Sequence, residues 1–275
     1  MWKNIPPVAC ESRQTMGILE KLEVGAEARG EALVAALAAA TGNEADHPAG
    51  RLAALRQVVP GRIVFTTSFG IEDQAITHLI FEQGLDIDVA TLDTGRLFPS
   101  TYKVWADTEM RYGRRIRSYH PQGEKLAAHV ADAGINGFYY SKEARTDCCF
   151  VRKVEPLGRA LAGADAWVTG LRADQSGQRG GVALASWDAD KNLVKFAPIH
   201  DWTRAQVADF CASENIPVNE LHAQGFVSIG CAPCTRAIQP GEPERAGRWW
   251  WESDEAKECG LHVGADGKLS RAKAL

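Results

Sequence analysis

From residue 62 onward the sequence alternates short β-branched runs with helix-length stretches, and no other feature constrains the fold as tightly. Arg62-Ile63-Val64-Phe65-Thr66 is a brief apolar run of the kind a fully buried strand presents. Ile71, Ala75, Ile76, Leu79 and Ile80 then recur at helical spacing across residues 71–83, and Gly84 supplies the stop. A strand over 87–92 and a helix over 99–112 follow. Pro99 suits a first turn, where its missing N–H would have no partner anyway. The same reading puts strands at 115–119, 166–169 and 194–199. It puts helices at 151–161 and 203–213, the last capped by Thr203 or Asp201. Strands that alternate with helices pair in parallel and carry the helices on both faces. The expected architecture is therefore α/β, a single domain with a parallel sheet flanked by helices. Ligands of such sheets bind beyond the carboxyl ends of the strands. Polar loops fall there at 66–70, 93–96 and 170–176.

Residues 1–60 read as a helical N-terminal extension. The run 26–41 is rich in Ala, Leu and Glu, 42–50 is a polar break, and a second helix over 51–58 stops at Pro60-Gly61. Residues 61–240 form the α/β domain. Residues 241–275 change character, with Pro, Gly, charge and a Trp249-Trp250-Trp251 run, and read as a mobile C-terminal tail that docks over the main domain. The three tryptophans read first as an anchor that buries area, with ring stacking on a base or contact with a partner as the alternatives. A membrane-spanning helix needs about 20 apolar residues in succession, and no stretch approaches that. The N-terminus lacks the charged and apolar regions of a secretory signal, so a cytoplasmic location is expected. Lys and Arg number 31 against 35 Asp and Glu, a balance that does not attract nucleic acid but leaves room for a local basic pocket for a small anion.

Seven cysteines, an odd number in a long chain without an export signal, do not make a disulfide scaffold. They bunch: Cys148-Cys149 are adjacent, and Cys231-Ala232-Pro233-Cys234 is a CxxC pair. Four thiolates can hold zinc or a [4Fe–4S] cube. Adjacent cysteines project in different directions and converge poorly on one small ion, whereas a cube offers four separate iron corners. The spacing therefore favours the cluster, one per chain, over zinc, over buried free thiols and over a redox CxxC. Lys153 lies four residues after Cys149, one helical turn on, beside whatever the cysteines hold. Cys259 stands in Glu258-Cys259-Gly260-Leu261-His262. It reads either as an incidental surface thiol or as a nucleophile whose pKa is lowered by nearby His and Arg. The loop Thr66-Thr67-Ser68-Phe69-Gly70 is neither a Walker A loop nor GxGxxG, and reads as an anion cradle or as an ordinary turn.

Six segments carry a resemblance. They are Thr67-Ser68-Phe69-Gly70-Ile71-Glu72-Asp73, Leu92-Asp93-Thr94-Gly95, the run from Cys148-Cys149 through Lys153 to Leu157, Thr169-Gly170-Leu171-Arg172, Gly230-Cys231-Ala232-Pro233-Cys234-Thr235-Arg236 and the Cys259 segment. In this order, over about residues 60–265, they resemble the assimilatory adenylyl-sulfate reductases. The resemblance implies an adenine nucleotide α-hydrolase-like fold. It also implies thioredoxin-dependent reduction of adenylyl sulfate to sulfite and AMP through an S-sulfocysteine, in sulfate assimilation and cysteine biosynthesis. Thioredoxin or a similar dithiol protein is the implied donor. Phosphoadenylyl-sulfate relatives generally keep the terminal cysteine and lack the other four, which points to the unphosphorylated substrate. By the same resemblance Cys259 is the nucleophile and Cys148, Cys149, Cys231 and Cys234 hold the cluster. Lys153 links cluster to substrate, Arg245 and Arg248 take the phosphosulfate, and His262 neighbours the substrate or thiolate. Thr67, Phe69, Leu92 and Gly170 line the nucleotide pocket, with Asp93 and Arg179 as further candidates.

Three other readings stay open at this stage. One is the same chemistry on phosphoadenylyl sulfate. Another is an ATP-pyrophosphatase-like adenylating or thiolation enzyme, against which Ser68-Phe69-Gly70 lacks the double-glycine loop. The third is a non-enzymatic electron-transfer module, which would leave the Cys259 segment without a role. Homo-oligomerisation is left open.

Overall fold

Six strands form one sheet in the order β3-β2-β1-β4-β6-β5. They are β1 (Ile63–Thr67), β2 (Asp88–Leu92), β3 (Arg117–Tyr119), β4 (Ala166–Val168), β5 (Ala185–Asp188) and β6 (Leu193–Phe196). This is a computed structural model that describes residues 25–42, 47–175 and 181–252. Every neighbouring pair is parallel except β5 with β6. The chain steps outward from β1 to β2 and β3, then returns to place β4 on the other side of β1. That reversal opens a crevice at the carboxyl ends of the central strands, where such sheets bind ligands.

Successive residues of β1 point to opposite faces. Phe65 joins the larger core with Ile76, Ile80, Val168 and Phe196, and Val64 joins a smaller one with Ala90, Leu157 and Trp167. The crossover helices are α3 (Ile71–Glu82), α4 (Pro99–Tyr112), α5 (Gly123–Ala133), α6 (Lys142–Cys149), α7 (Glu155–Leu161) and α8 (Arg204–Ser213), preceded by α1 (Ala26–Ala40) and α2 (Pro48–Val58). Thr203, one of the two expected caps, forms a reciprocal capping box with Gln206 on α8. Leu37 of α1 and Leu52 and Leu55 of α2 belong to the larger core. Gly30 lets α1 lie against the Trp187 indole, which a Cβ there would approach to 2.1 Å.

Three features differ from expectation. Helix α5 is not among the expected elements, and none of its residues is buried. Strand β5, Ala-Ser-Trp-Asp, has neither alternation nor an apolar run. The helix expected from 151 begins at Lys142: Ser141 Oγ caps it by accepting from the Ala144 N–H, and Phe150–Val154 continue it as a π-helical turn into α7. Only Arg145 and Cys149 of α6 are buried, so hydrophobic periodicity could not mark it.

The first part of the tail folds back onto the domain. The Arg236 N–H donates to Gly247 O at 3.0 Å and the Trp249 N–H to Cys234 O at 3.2 Å. Residues 253–275, and with them Cys259, His262 and the expected mobility of the tail, lie outside the described residues, as does Arg179.

Candidate active site

A cleft of about 210 Å³ opens at the carboxyl ends of β1, β2 and β4. The expected nucleotide residues Thr67, Leu92 and Gly170 line it. Thr67 Oγ1 accepts from the Phe69 N–H at 3.0 Å and so shapes the β1–α3 loop. Phe69 sits in that loop at φ 59°, but its ring does not face the cleft. It is 1% exposed and stacks on Trp105 at 5.5 Å, so its side chain serves the core. Gly170 leaves no room for a side chain, since a Cβ would stand 2.2 Å from Asp73 Oδ1. Asp93 is not among the lining residues. Its Oδ1 accepts from the Gly95 N–H and the Tyr102 hydroxyl, both at 2.8 Å, which holds the β2 loop.

The floor of the cleft is a neutralised charge cluster. Arg172 is fully buried and donates to Glu72 Oε1 at 2.9 Å and Glu244 Oε2 at 3.1 Å, with Asp174 also paired to it. Burial pushes the Glu72 carboxyl up, but Arg172 and a backbone N–H outweigh it and leave its pKa below the usual range. Asp73 next door behaves oppositely. Burial raises it to about 6, although the N–H and hydroxyl of Ser68 both donate to its Oδ2 at 2.6 Å.

The opposite wall is cationic. Lys153, Arg245 and Arg248 line it, as expected of an anion-binding end. Arg248 is 6% exposed. Its Nη1 reaches Ser228 Oγ at 3.4 Å, its guanidinium lies 4.7 Å from the Trp249 ring centre, and its Nε has no partner among the described residues. A Cβ on Gly230 would lie 2.3 Å from this guanidinium, so glycine there leaves Arg248 the space it occupies.

Beyond this wall the four cysteines expected to act together do line one small cavity, with Arg96, Phe138, Arg145, Arg152, Trp249 and Lys153. Cys148 and Cys149 arrive on the last turn of α6, and Cys231 and Cys234 flank a short helical turn. None is in a disulfide. No group of three His, Cys, Asp or Glu among the described residues is gathered to chelate a single metal ion. Burial raises the Cys231 thiol, but Lys153, the Thr94 hydroxyl at 3.3 Å and two arginines prevail and hold its pKa below the ordinary value. Cys234, with less help, is pushed up by burial to about 12. Among the described residues, Lys153 alone is common to the cysteine cavity and the cleft. The π-helical turn that carries it starts directly after Cys149.

Trp249 is 1% exposed beneath this assembly, with the Arg145 guanidinium 4.5 Å from its ring centre, whereas Trp250 is 40% exposed, so burial of area is seen at Trp249 and not along the whole run. Arg145 is in turn ion-paired to Glu252. Sequence reasoning did not single out Arg172, Glu244, His222, Ser228 or Arg152 as site residues. Arg172 and Arg152 stood inside quoted motifs, while Glu244, His222 and Ser228 reach the cleft from irregular segments that no periodicity marks.

Residues 62–237 match the model of the phosphoadenosine phosphosulfate reductase domain. An adenosine 5′-phosphosulfate reductase of Agrobacterium fabrum is 57% identical over 203 residues, 74% of this chain and 78% of that protein. One from Allochromatium vinosum is 52% identical over 200 residues, 73% of this chain and 78% of its own length. Among solved structures, a phosphoadenylyl-sulfate reductase from Candida auris in a phosphate complex superposes with a TM-score of 0.62 at 24% identity. The match covers 76% of this chain and 97% of that one, and supports the shared fold.

Proposed function

Because the chain belongs to the phosphoadenosine phosphosulfate reductase domain family, and within it to the adenosine 5′-phosphosulfate reductases, we propose that it reduces adenylyl sulfate to sulfite and AMP. The observation that carries the reading is Lys153, which forms part of both the nucleotide-sized cleft and the wall of a four-thiol cavity. Thr67, Leu92 and Gly170 enclose the nucleoside half, and Arg245 and Arg248 hold the phosphosulfate. Lys153 faces the sulfonyl group, where negative charge spreads in the transition state. The Cys259 thiolate attacks sulfur, the bond from sulfur to the bridging oxygen breaks, and AMP leaves with the electron pair. The S-sulfocysteine so formed is then attacked at its Sγ by one thiolate of a dithiol protein such as thioredoxin. Sulfite departs, and the donor's second thiol resolves the mixed disulfide and returns Cys259 as thiolate. The two electrons come from the dithiol. The need for reduced thiols suits a cytoplasmic setting.

Cys148, Cys149, Cys231 and Cys234 would hold a [4Fe–4S] cluster. Their side chains fit it: four thiols, none in a disulfide, share one cavity, and cationic Lys153, Arg152 and Arg248 act on the Cys231 sulfur. When bound, the cluster supplies a tie between α6 and the CxxC turn and a fixed charge beside Lys153. An absorption spectrum after anaerobic purification distinguishes it from zinc. Sulfite release from adenylyl and phosphoadenylyl sulfate, with a dithiol donor, tests the rest. Faster turnover of the phosphorylated nucleotide would reassign the substrate, and no sulfite from either would sink the reading.

A further inference from the structure

Two of the residues that line the cleft carry a buried side-chain polar atom without a hydrogen-bond partner among the described residues: Arg248 Nε and His222 Nε2. Arg248 Nε is a donor at the cationic end. His222 Nε2 is of the opposite kind, and the reason lies in the other ring nitrogen. His222 Nδ1 stands 2.8 Å from the Phe226 carbonyl oxygen, which can only accept. Nδ1 therefore carries the hydrogen, and a neutral ring leaves Nε2 as a bare lone pair. The short turn Glu220–Gln224 fixes the ring, held at its start by Asn219, whose Oδ1 accepts from the Leu221 N–H at 3.1 Å.

We propose that His222 Nε2 accepts a hydrogen bond from a donor on the nucleoside half of the substrate, either the exocyclic amine of the base or a ribose hydroxyl. The inference rests on the reading of the cleft as an adenylyl-sulfate site. Burial, and after it the nearby Arg204, hold the His222 pKa below the ordinary value against the opposing pull of the Phe226 carbonyl and Glu72, which keeps the ring neutral and accepting. Glu72 and Glu244, which also line the cleft, do not compete for this role. Glu72 already accepts from Arg172 and Gln175, and Glu244 from Arg172. A buried acceptor left without a donor is costly, so a ligand that supplies one binds more tightly than one that does not.

The test is calorimetric titration of the cluster-loaded protein with AMP, IMP, 2′-deoxy-AMP and 3′-deoxy-AMP, for wild type, His222→Phe and His222→Gln. His222→Phe should weaken AMP by about tenfold, the size of one hydrogen bond. It should cost little against the one analogue that lacks the donor read by Nε2: IMP if the amine is read, a deoxynucleotide if a hydroxyl is. His222→Gln, which offers both a donor to Phe226 O and an acceptor, should recover most of the AMP affinity. Equal losses against all four nucleotides, or no loss at all, would overturn the proposal. Failure of the wild-type protein to bind AMP would instead overturn the functional reading beneath it.

Discussion

Arg248 lines the cleft and Arg172 lies behind the lining residues Glu72 and Glu244; both arginines are buried, and they are compensated in opposite ways. Arg172 meets Glu72, Asp174 and Glu244. Arg248 meets a serine hydroxyl and the face of Trp249, and has no ion pair among the described residues. Arg152, on the cysteine side, resembles Arg248: its Nη1 donates to Thr94 O at 2.7 Å and its Nε is unpartnered. A buried charge is tolerated when it is paired. The floor carries its own counter-charges and is complete as it stands. Arg248 and Arg152 have no carboxylate partner among the described residues, and a phosphosulfate on one side and thiolates on the other would supply the missing counter-charge. The contrast between Arg172 and this pair separates a charge held by the scaffold from charges kept for a ligand.

The largest expected effect lies outside both regions. Cys259→Ser should abolish sulfite formation while AMP affinity and iron content stay normal, because a hydroxyl is a far poorer nucleophile than a thiolate at neutral pH. Near-normal turnover would mean that the wall itself, not the tail, supplies the attacking group. Next in size, Ala in place of any one of Cys148, Cys149, Cys231 or Cys234 should remove iron and sulfide together and lower the melting temperature, since binding of such a group is coupled to folding. Stoichiometric zinc without iron in anaerobic wild-type protein would void this expectation.

The comparison itself is tested by two substitutions to methionine. Arg172→Met removes the shared partner of half-buried Glu72 and Glu244 and leaves Glu72 only Gln175 and the more distant Arg204, so urea unfolding should show a loss of about 3 kcal/mol. Arg248→Met should change stability by far less and weaken AMP binding by about ten- to hundredfold, as expected of a lost hydrogen bond to a charged group. Similar destabilisation by both would erase the distinction between floor and wall. Lys153→Ala should cut turnover by roughly 10²-fold, the scale of one lost preorganised donor, with cluster content unchanged. Freeze-quench spectra during turnover should show one constant cluster state. A reduced state that rises and decays at the rate of sulfite release would give the cluster an electron-carrying role instead.

The sheet was legible because β1, β2 and β4 are dense apolar runs between helices with clear stops, and burial on both faces demands that composition. Helix α6 was not legible, because its polar sequence is helical for the sake of what it presents, Arg145, Cys148 and Cys149, rather than for a core face. The four cysteines and Lys153 could be grouped from spacing, although the π-helical turn was not foreseen. Phe69 lies in the expected cleft loop at a positive φ, but its ring packs on Trp105 in the core, a placement that the motif did not announce. His222 and Glu244 approach from segments whose paths depend on tertiary contacts, so no local pattern could announce them.

The smallest effect is expected at Thr94, where the two regions meet. It is 1% exposed, lines the cleft, and accepts from the Arg96 N–H at 3.2 Å while its hydroxyl lies 3.3 Å from Cys231 Sγ. Its carbonyl, which serves Arg152, does not depend on the side chain. Thr94→Val keeps the shape and removes only the hydroxyl, so Arg96 N–H loses its acceptor and the Cys231 sulfur loses a donor. A loss of about 1 kcal/mol is expected. Iron should leave to a chelator about fivefold faster, the factor that such an energy commands. AMP affinity should not move, and Thr94→Ser should restore both. If Thr94→Val instead weakens AMP and leaves the chelation rate alone, the hydroxyl serves the cleft rather than the cysteines, and the boundary between the two regions must be drawn on the other side of Thr94.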